Sequence, residues 1–357
     1  MPIAIVDSHI HLFPASHLPS LAWHGPSNPL GSQHSLDEYR QATSSTSEYL
    51  RGFIFLETDR ISSVVDQPST DAPGWFHALD EVSLLTRIVM GKPLPKEGHT
   101  EIDRDLCLGI VPWAPVPGGP EILRAYMARA KERTQTEEVW QKVRGVRYLL
   151  QDKAAGTMLE TGFVEGLRWL GREGLVFDLG VDARQGGLGQ LQEAVEMMEK
   201  VYRGFEKDDA GAVTIVINHL CKPNLRLPID AVQTHPEYLK WKFLITKMAH
   251  AHGRTYMKLS GAFSEFPPLA AEADLDISGL VDRLQPWTDV AFDAFGPERV
   301  MFGSDWPVCN IGGGGNDVSW IRWKQVVEGV LEKRGLTEEQ RKGVWGGVAI
   351  QAYGISI

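Results

Sequence analysis

Cysteine is scarce. Cys107, Cys221 and Cys309 are the 3 cysteines of the chain, far apart and without CxxC spacing. That argues against a disulfide framework and for a reducing compartment, with the cytoplasm as the expected location. Positive charge is in the minority. The 36 Lys and Arg face 46 Asp and Glu, for a net charge of −10. Such a surface argues against nucleic acid or an anionic membrane as partner. It does not forbid an anionic or sugar-like small substrate, because local charge decides that. Long apolar runs are also missing. None reaches the roughly 18 residues of a membrane-spanning helix. The opening MPIAIVDSHIHLF lacks a basic flank and carries Asp and His within its apolar stretch, so it does not read as a signal peptide. No internal repeat is visible beyond an alternation of β-like and α-like segments.

What is present suits one large α/β unit. The 357 residues exceed a common domain but match a barrel with insertions. Apolar residues make up 43% and charged residues 23%, ordinary for a globular chain with a sizeable core. Eight short apolar runs have strand length: Ala4–Phe13, Gly52–Thr58, Leu106–Val116, Arg144–Leu150, Leu175–Val181, Val213–Leu220, Tyr256–Ser260 and Val300–Trp306. Near-continuous strings such as VTIVIN are what strands buried on both faces require. Helical spacing fills the gaps at Pro120–Arg133, Gly162–Glu173, Leu188–Phe205, Pro236–His250, Leu275–Phe295 and Val318–Lys333. The expectation is a (β/α)8 TIM barrel, one domain over 1–357, with an open doubly wound sheet as the alternative. Long connections follow strands one and two, at Pro14–Arg51 and Asp59–Asp105. In a barrel both lie on the carboxyl face, so they read as lids or specificity loops. The glycine run at 312–315 reads as a mobile flap or as a plain linker.

Three motifs carry chemistry. His9 and His11 are two apart on the first strand and therefore share a face, where two imidazoles can chelate a divalent cation. Asp305, in GSDWP, ends the eighth strand. A carboxylate there reads as catalytic or ligating, and barrel closure brings it beside the first strand. Its bland reading is a helix cap. His219, in NHL, ends the sixth run and is a metal ligand, a carbonyl-polarising donor or a structural histidine. Glu57, Asp178 and Lys258 also lie toward the ends of apolar strands, where an unpaired charge is costly. Glu57 reads as a fourth metal ligand, a sugar-hydroxyl acceptor or a structural ion pair. Asp178 and Lys258 read as substrate-hydroxyl partners or as a mutual pair. Trp113 and Trp306 are candidates for flooring a sugar ring, or ordinary packing.

The stretches IVDSHIHLF, GVRYLLQ, LVFDLGV, VTIVINHL, MKLSGAFSEF and RVMFGSDWPVCN resemble the amidohydrolase-related superfamily, in its branch of sugar-acid and 2-pyrone-4,6-dicarboxylate lactonases. LAWHGPSNPLGSQHSLDEYRQA and FIFLETDR are similar to fungal L-rhamnono-γ-lactonases. The resemblance spans nearly the whole chain. It implies that Asp305 activates water as general base and also ligates metal, that His219 is the histidine of the NHL strand, and that Arg147 contacts substrate oxygens. The chain departs from binuclear members, which carry a carboxylated Lys or Glu on a middle strand, where Asp178 stands here. One divalent ion, zinc first, or operation without metal is therefore the expectation. The expected reaction is opening of an aldonolactone, with L-rhamnono-γ-lactone foremost, by water that Asp305 deprotonates. The small-molecule lactone is the expected partner, and a homodimer fits the class. Alternatives are a zinc decarboxylase of aromatic or conjugated acids and a dicarboxylate pyrone lactonase.

Overall fold

The computed structural model describes residues 3–25, 27–66, 74–207, 209–272 and 275–356. Its strands are β1 Ile5–Ile10, β2 Leu50–Leu56, β3 Cys107–Val111, β4 Gly145–Arg147, β5 Val176–Leu179, β6 Thr214–Ile217, β7 Thr255–Leu259 and β8 Val300–Phe302. Strands β1 to β3 pair in parallel, as do β4 to β8. Isolated parallel bridges close both remaining seams. Ile110 bridges Val143 and Trp113 bridges Arg147 between β3 and β4, and Ile10 bridges Trp306 between β1 and the residues after β8. The architecture is a closed (β/α)8 barrel, as the alternation of patterns requires.

Every expected run overlaps one observed strand; most strands are shorter than their runs, while β2 and β7 keep the expected length but begin two residues and one residue earlier. Pro112 and Pro115 lack an amide hydrogen, so β3 stops at Val111 although apolar residues continue. Helices follow each strand: α1 Leu36–Thr43, α2 Phe76–Met90, α3 Gly119–Thr134, α4 Thr161–Arg172, α5 Leu188–Tyr202, α6 Pro236–Ala251, α7 Ile277–Phe295 and α8 Ser319–Lys333. Their apolar stripes face the strands. In α4, Phe163, Val164, Leu167 and Leu170 recur at helical spacing and are buried. No helix among the described residues is long and apolar enough to cross a membrane.

The barrel is sealed at its amino end. Val6, Ile54, Val111, Val216 and Met301 point inward and pack against Val348, Ala352, Tyr353 and Ile355 of the C-terminal segment. The carboxyl end is roofed by the connection after β1, where Phe13, Leu21 and Leu30 form a small core of their own. The connection after β2 brings Asp59, at its start, to a cavity at the barrel mouth. Residues 67–73 lie outside the described residues, and α2 buries Leu79, Val82, Leu85 and Ile88 in the main core as the outer helix of its unit. The run at 312–315 is a packed seat rather than a flap. A Cβ on Gly312 would stand 2.3 Å from the Phe263 carbonyl, and Arg322 donates to the Gly313 carbonyl at 2.9 Å.

Candidate active site

Strand β1 departs from simple alternation, with a register shift between Asp7 and Ile10. Such a bulge re-aims side chains. Asp7 is turned toward the outer helices, where its carboxylate accepts from the Ser304 amide at 2.8 Å, Trp320 Nε1 at 2.8 Å and the Tyr39 hydroxyl at 3.1 Å. His9 and His11 turn to the barrel mouth together, with Nε2 atoms 3.2 Å apart. His11 Nδ1 is anchored 3.0 Å from the carbonyls of Leu56 and Glu57.

The other two groups sit on strained backbone. His219, Leu220, Cys221 and Lys222 have φ of 56°, 52°, 60° and 47°, and Asp305 has φ of 61°. Left-handed conformations cost about 1–3 kcal/mol each for such residues and persist only where surroundings enforce them. Here Trp241 Nε1 holds the Leu220 carbonyl at 3.0 Å, the Ala183 amide holds that of Cys221 at 2.9 Å, and the Asp305 amide donates to the His9 carbonyl at 2.9 Å. Ser260 Oγ lies 2.8 Å from His219 Nδ1 and fixes that ring.

These elements converge on one atom. Asp305 Oδ1 lies 3.5 Å from His9 Nε2, 3.6 Å from His11 Nε2 and 3.6 Å from His219 Nε2. Burial holds His9 well below its ordinary pKa, with Lys258 adding to the effect. Burial lowers His219 to about 3 against the pull of Asp305. Burial pushes the Asp305 carboxyl up, but His219 and His11 outweigh it and leave its pKa below the ordinary value. Neutral imidazoles and an ionised carboxylate are the forms a divalent cation binds. Potential ligand atoms of His9, His219 and Asp305 all lie within 4.8 Å of one another, and the donor set fits such an ion.

A cavity of about 210 Å³ opens above the cluster, and His11, His219, Asp305, Arg147, Asp59 and Lys222 are in its wall. Arg147 Nε donates to Glu57 Oε1 at 2.6 Å, and the Asp59 amide donates to Glu57 Oε2 at 2.5 Å. Glu57 is thus placed in the ion pair rather than among the clustered ligand atoms. Asp178 and Lys258 also lie off the cavity wall. They pair at 2.6 Å, fully buried beneath the histidines. Trp306 is fully buried, with Tyr39 5.2 Å and His34 5.7 Å from its ring and Nε1 bonded to Asn316. Trp113 packs on Tyr126 and Tyr148. The tryptophan lining the cavity is Trp23, from the connection after β1, with Nε1 held 2.9 Å from the Thr58 carbonyl. Sequence reasoning missed Trp23, Asp59 and Lys222 as wall residues. Lys222 stands three residues after His219, and only the left-handed turn between them brings both to the mouth. Burial, with Glu57 adding to it, raises the Asp59 carboxyl to about 7.

Comparison with known proteins agrees with the barrel fold. The Amidohydrolase family model matches residues 101–355. The L-rhamnono-gamma-lactonase of Scheffersomyces stipitis is 35% identical over 352 residues, covering 98% of each chain. An L-fucono-1,5-lactonase of Burkholderia multivorans is 31% identical over 235 residues, 64% of this chain and 69% of that protein. Among solved structures, an amidohydrolase from Burkholderia multivorans with bound zinc superposes with a TM-score of 0.69 at 24% identity, covering 99% of this chain and 100% of the other. The chain belongs to the Amidohydrolase family.

Proposed function

We propose that this chain is a sugar-acid lactonase, a carboxylic ester hydrolase acting on L-rhamnono-γ-lactone or a close aldonolactone in carbohydrate catabolism. The observation that carries the reading is the convergence of His9, His11 and His219 on Asp305 at the floor of a small cavity, in a chain similar end to end to a named lactonase. The cavity, about 210 Å³, is below the roughly 300 Å³ at which sites for drug-sized ligands begin, which suits a monosaccharide lactone.

Opening a lactone needs a water nucleophile, a group to take its proton and a donor for the carbonyl oxygen. Asp305 is assigned the proton. Its ionised carboxylate receives it from water and returns it to the ring oxygen as the C–O bond breaks. His9, His219 and Asp305, with His11 beside them, would hold one divalent ion, zinc by donor chemistry, which supplies Lewis acidity toward the carbonyl and toward water. Arg147, tied along one edge to Glu57, is the donor assigned to a substrate oxygen. Trp23 offers an apolar wall, and Asp59 and Lys222 offer partners for hydroxyls. The three buried, unpaired cysteines suit a reducing compartment such as the cytoplasm.

A pH-indicator assay with a panel of aldonolactones tests the reading. The protein with Zn2+ is expected to release acid from L-rhamnono-γ-lactone, and Asp305→Asn is expected to lower kcat on the order of 10³-fold. Wild-type turnover in Asp305→Asn would remove the base assignment. No acid from any lactone, together with CO2 release from aromatic acids, would replace the lactonase reading with the decarboxylase one.

A further inference from the structure

Charge in the middle of a barrel calls for a reason, since interior layers are normally Val, Ile and Leu. Asp178 on β5 and Lys258 on β7 are fully buried there. As a pair they contribute little stability, because desolvating two charges offsets most of their attraction. Two further contacts give the pair a direction. Above it, Lys258 Nζ lies 3.2 Å from His9 Nδ1. Below it, the Tyr353 hydroxyl donates to Asp178 Oδ2 at 2.6 Å, and Lys258 Nζ stands 5.4 Å from the centre of the Tyr353 ring. Tyr353 belongs to the C-terminal segment that seals the amino end of the barrel. A buried line of polar contacts therefore runs from residue 353 up through the barrel to the ring of His9.

We propose that Tyr353, acting through Asp178 and Lys258, is a positioning residue for His9 and sets where its Nε2 points. Once the β1 backbone is fixed, the imidazole keeps a broad χ2 torsion, and a partner at Nδ1 removes that freedom. An outer partner at the second ring nitrogen fixes a ligating histidine in this way, and losing one typically costs about 10- to 100-fold in metal affinity or activity. With Nε2 on a metal the His9 ring carries its proton on Nδ1, so that N–H donates to Lys258 as an amine, which in turn donates to Asp178. The C-terminal segment then does two separable jobs. Val348, Ala352 and Ile355 close the barrel by packing, while Tyr353 also holds the pair beneath the site. The inference rests on the reading of His9 as a metal ligand.

Tyr353→Phe keeps the ring and removes only the hydroxyl that holds Asp178. Ile355→Ala trims packing in the same segment without touching the polar line. Zn2+ affinity is measured by competition with a chromophoric chelator, kcat and KM with the lactone, and Tm by thermal melting. Tyr353→Phe is expected to weaken Zn2+ binding about tenfold and lower kcat about tenfold, with KM within about twofold. Asp178→Asn should do the same, and the double variant should be no worse than either single. Ile355→Ala should lower Tm while Zn2+ affinity and kcat stay at the wild-type level. The proposal is overturned if Tyr353→Phe and Asp178→Asn both bind Zn2+ as wild type does, if Ile355→Ala weakens Zn2+ binding as much as Tyr353→Phe, or if the wild-type protein binds no Zn2+. Zn2+ binding needs no substrate, so absence of lactone turnover would count against the lactonase reading and leave this comparison to decide on its own.

Discussion

Three aspartates, Asp7 within β1 and Asp59 and Asp305 just past the ends of β2 and β8, illustrate how surroundings assign different work to one side chain. Asp7 and Asp305 both belong to motifs legible in the sequence, yet only Asp305 meets the histidines. Asp7 is locked by Ser304, Trp320 and Tyr39 on the outer side of the barrel. No spacing rule separates the two, because the bulge in β1 decides which way Asp7 faces. Asp59 was not legible at all. It becomes distinctive only where the fold buries it beside Glu57, and there its carboxyl rises to about 7 from an ordinary 3.8, against the opposing pull of Lys153 and Arg147. The raised value means that the folded chain keeps this proton across roughly pH 4 to 7 while the unfolded chain gives it up. Stability from this group is therefore present below the unfolded value, falls as pH rises through that window and is lowest above about 7. Asp59→Asn has no proton to lose. Its Tm should exceed that of wild type at pH 8, and the difference should vanish below about pH 4. A difference that stays flat between pH 4 and 8 in melting curves would refute the assignment.

At the scale of elements, helices were read almost to the residue. Their 3.6-residue period is written locally, as in α5, expected at Leu188–Phe205 and found at Leu188–Tyr202. Strand ends were read less well, since apolar composition continues past the last ladder bond while proline and left-handed residues do not. The turn His219–Lys222 and the glycine that seats it are tertiary features. Gly261, at the end of β7, has φ of +68°, and a Cβ there would stand 2.6 Å from His219 Nδ1. Gly261→Ala must push the His219 ring from its place beside Ser260 and Asp305. Displacements near 1 Å at such sites cost on the order of 10²-fold in rate, so kcat should fall about that much. Steady-state kinetics returning kcat within twofold of wild type would show that His219 needs no such exact seat.

At the scale of the molecule, the core is continuous from Ile5 to Trp345. Unfolding followed by far-UV circular dichroism and by tryptophan fluorescence should therefore coincide in one transition. The candidate ion would join residues at the ends of β1, β6 and β8, so binding to the folded state alone should raise Tm. Chelation should lower Tm, and Asp305→Asn should abolish that difference. Separate transitions, or a Tm indifferent to chelator, would contradict these expectations. The sequence by itself determined the barrel, because short near-continuous apolar runs alternating with segments of 3.6-residue period leave few ways to bury every apolar face. It also singled out His9, His11, His219 and Asp305 as candidates, which the fold brings together, because strand-end position and residue chemistry are both local. Only the tertiary structure decided that Glu57 faces Arg147, that Asp178 and Lys258 lie beneath the site, and that Tyr353 reaches them from the far end of the chain. Those partnerships join residues up to 249 positions apart across the barrel, as with Lys258 and His9, and burial of charge selects them only once the barrel has closed.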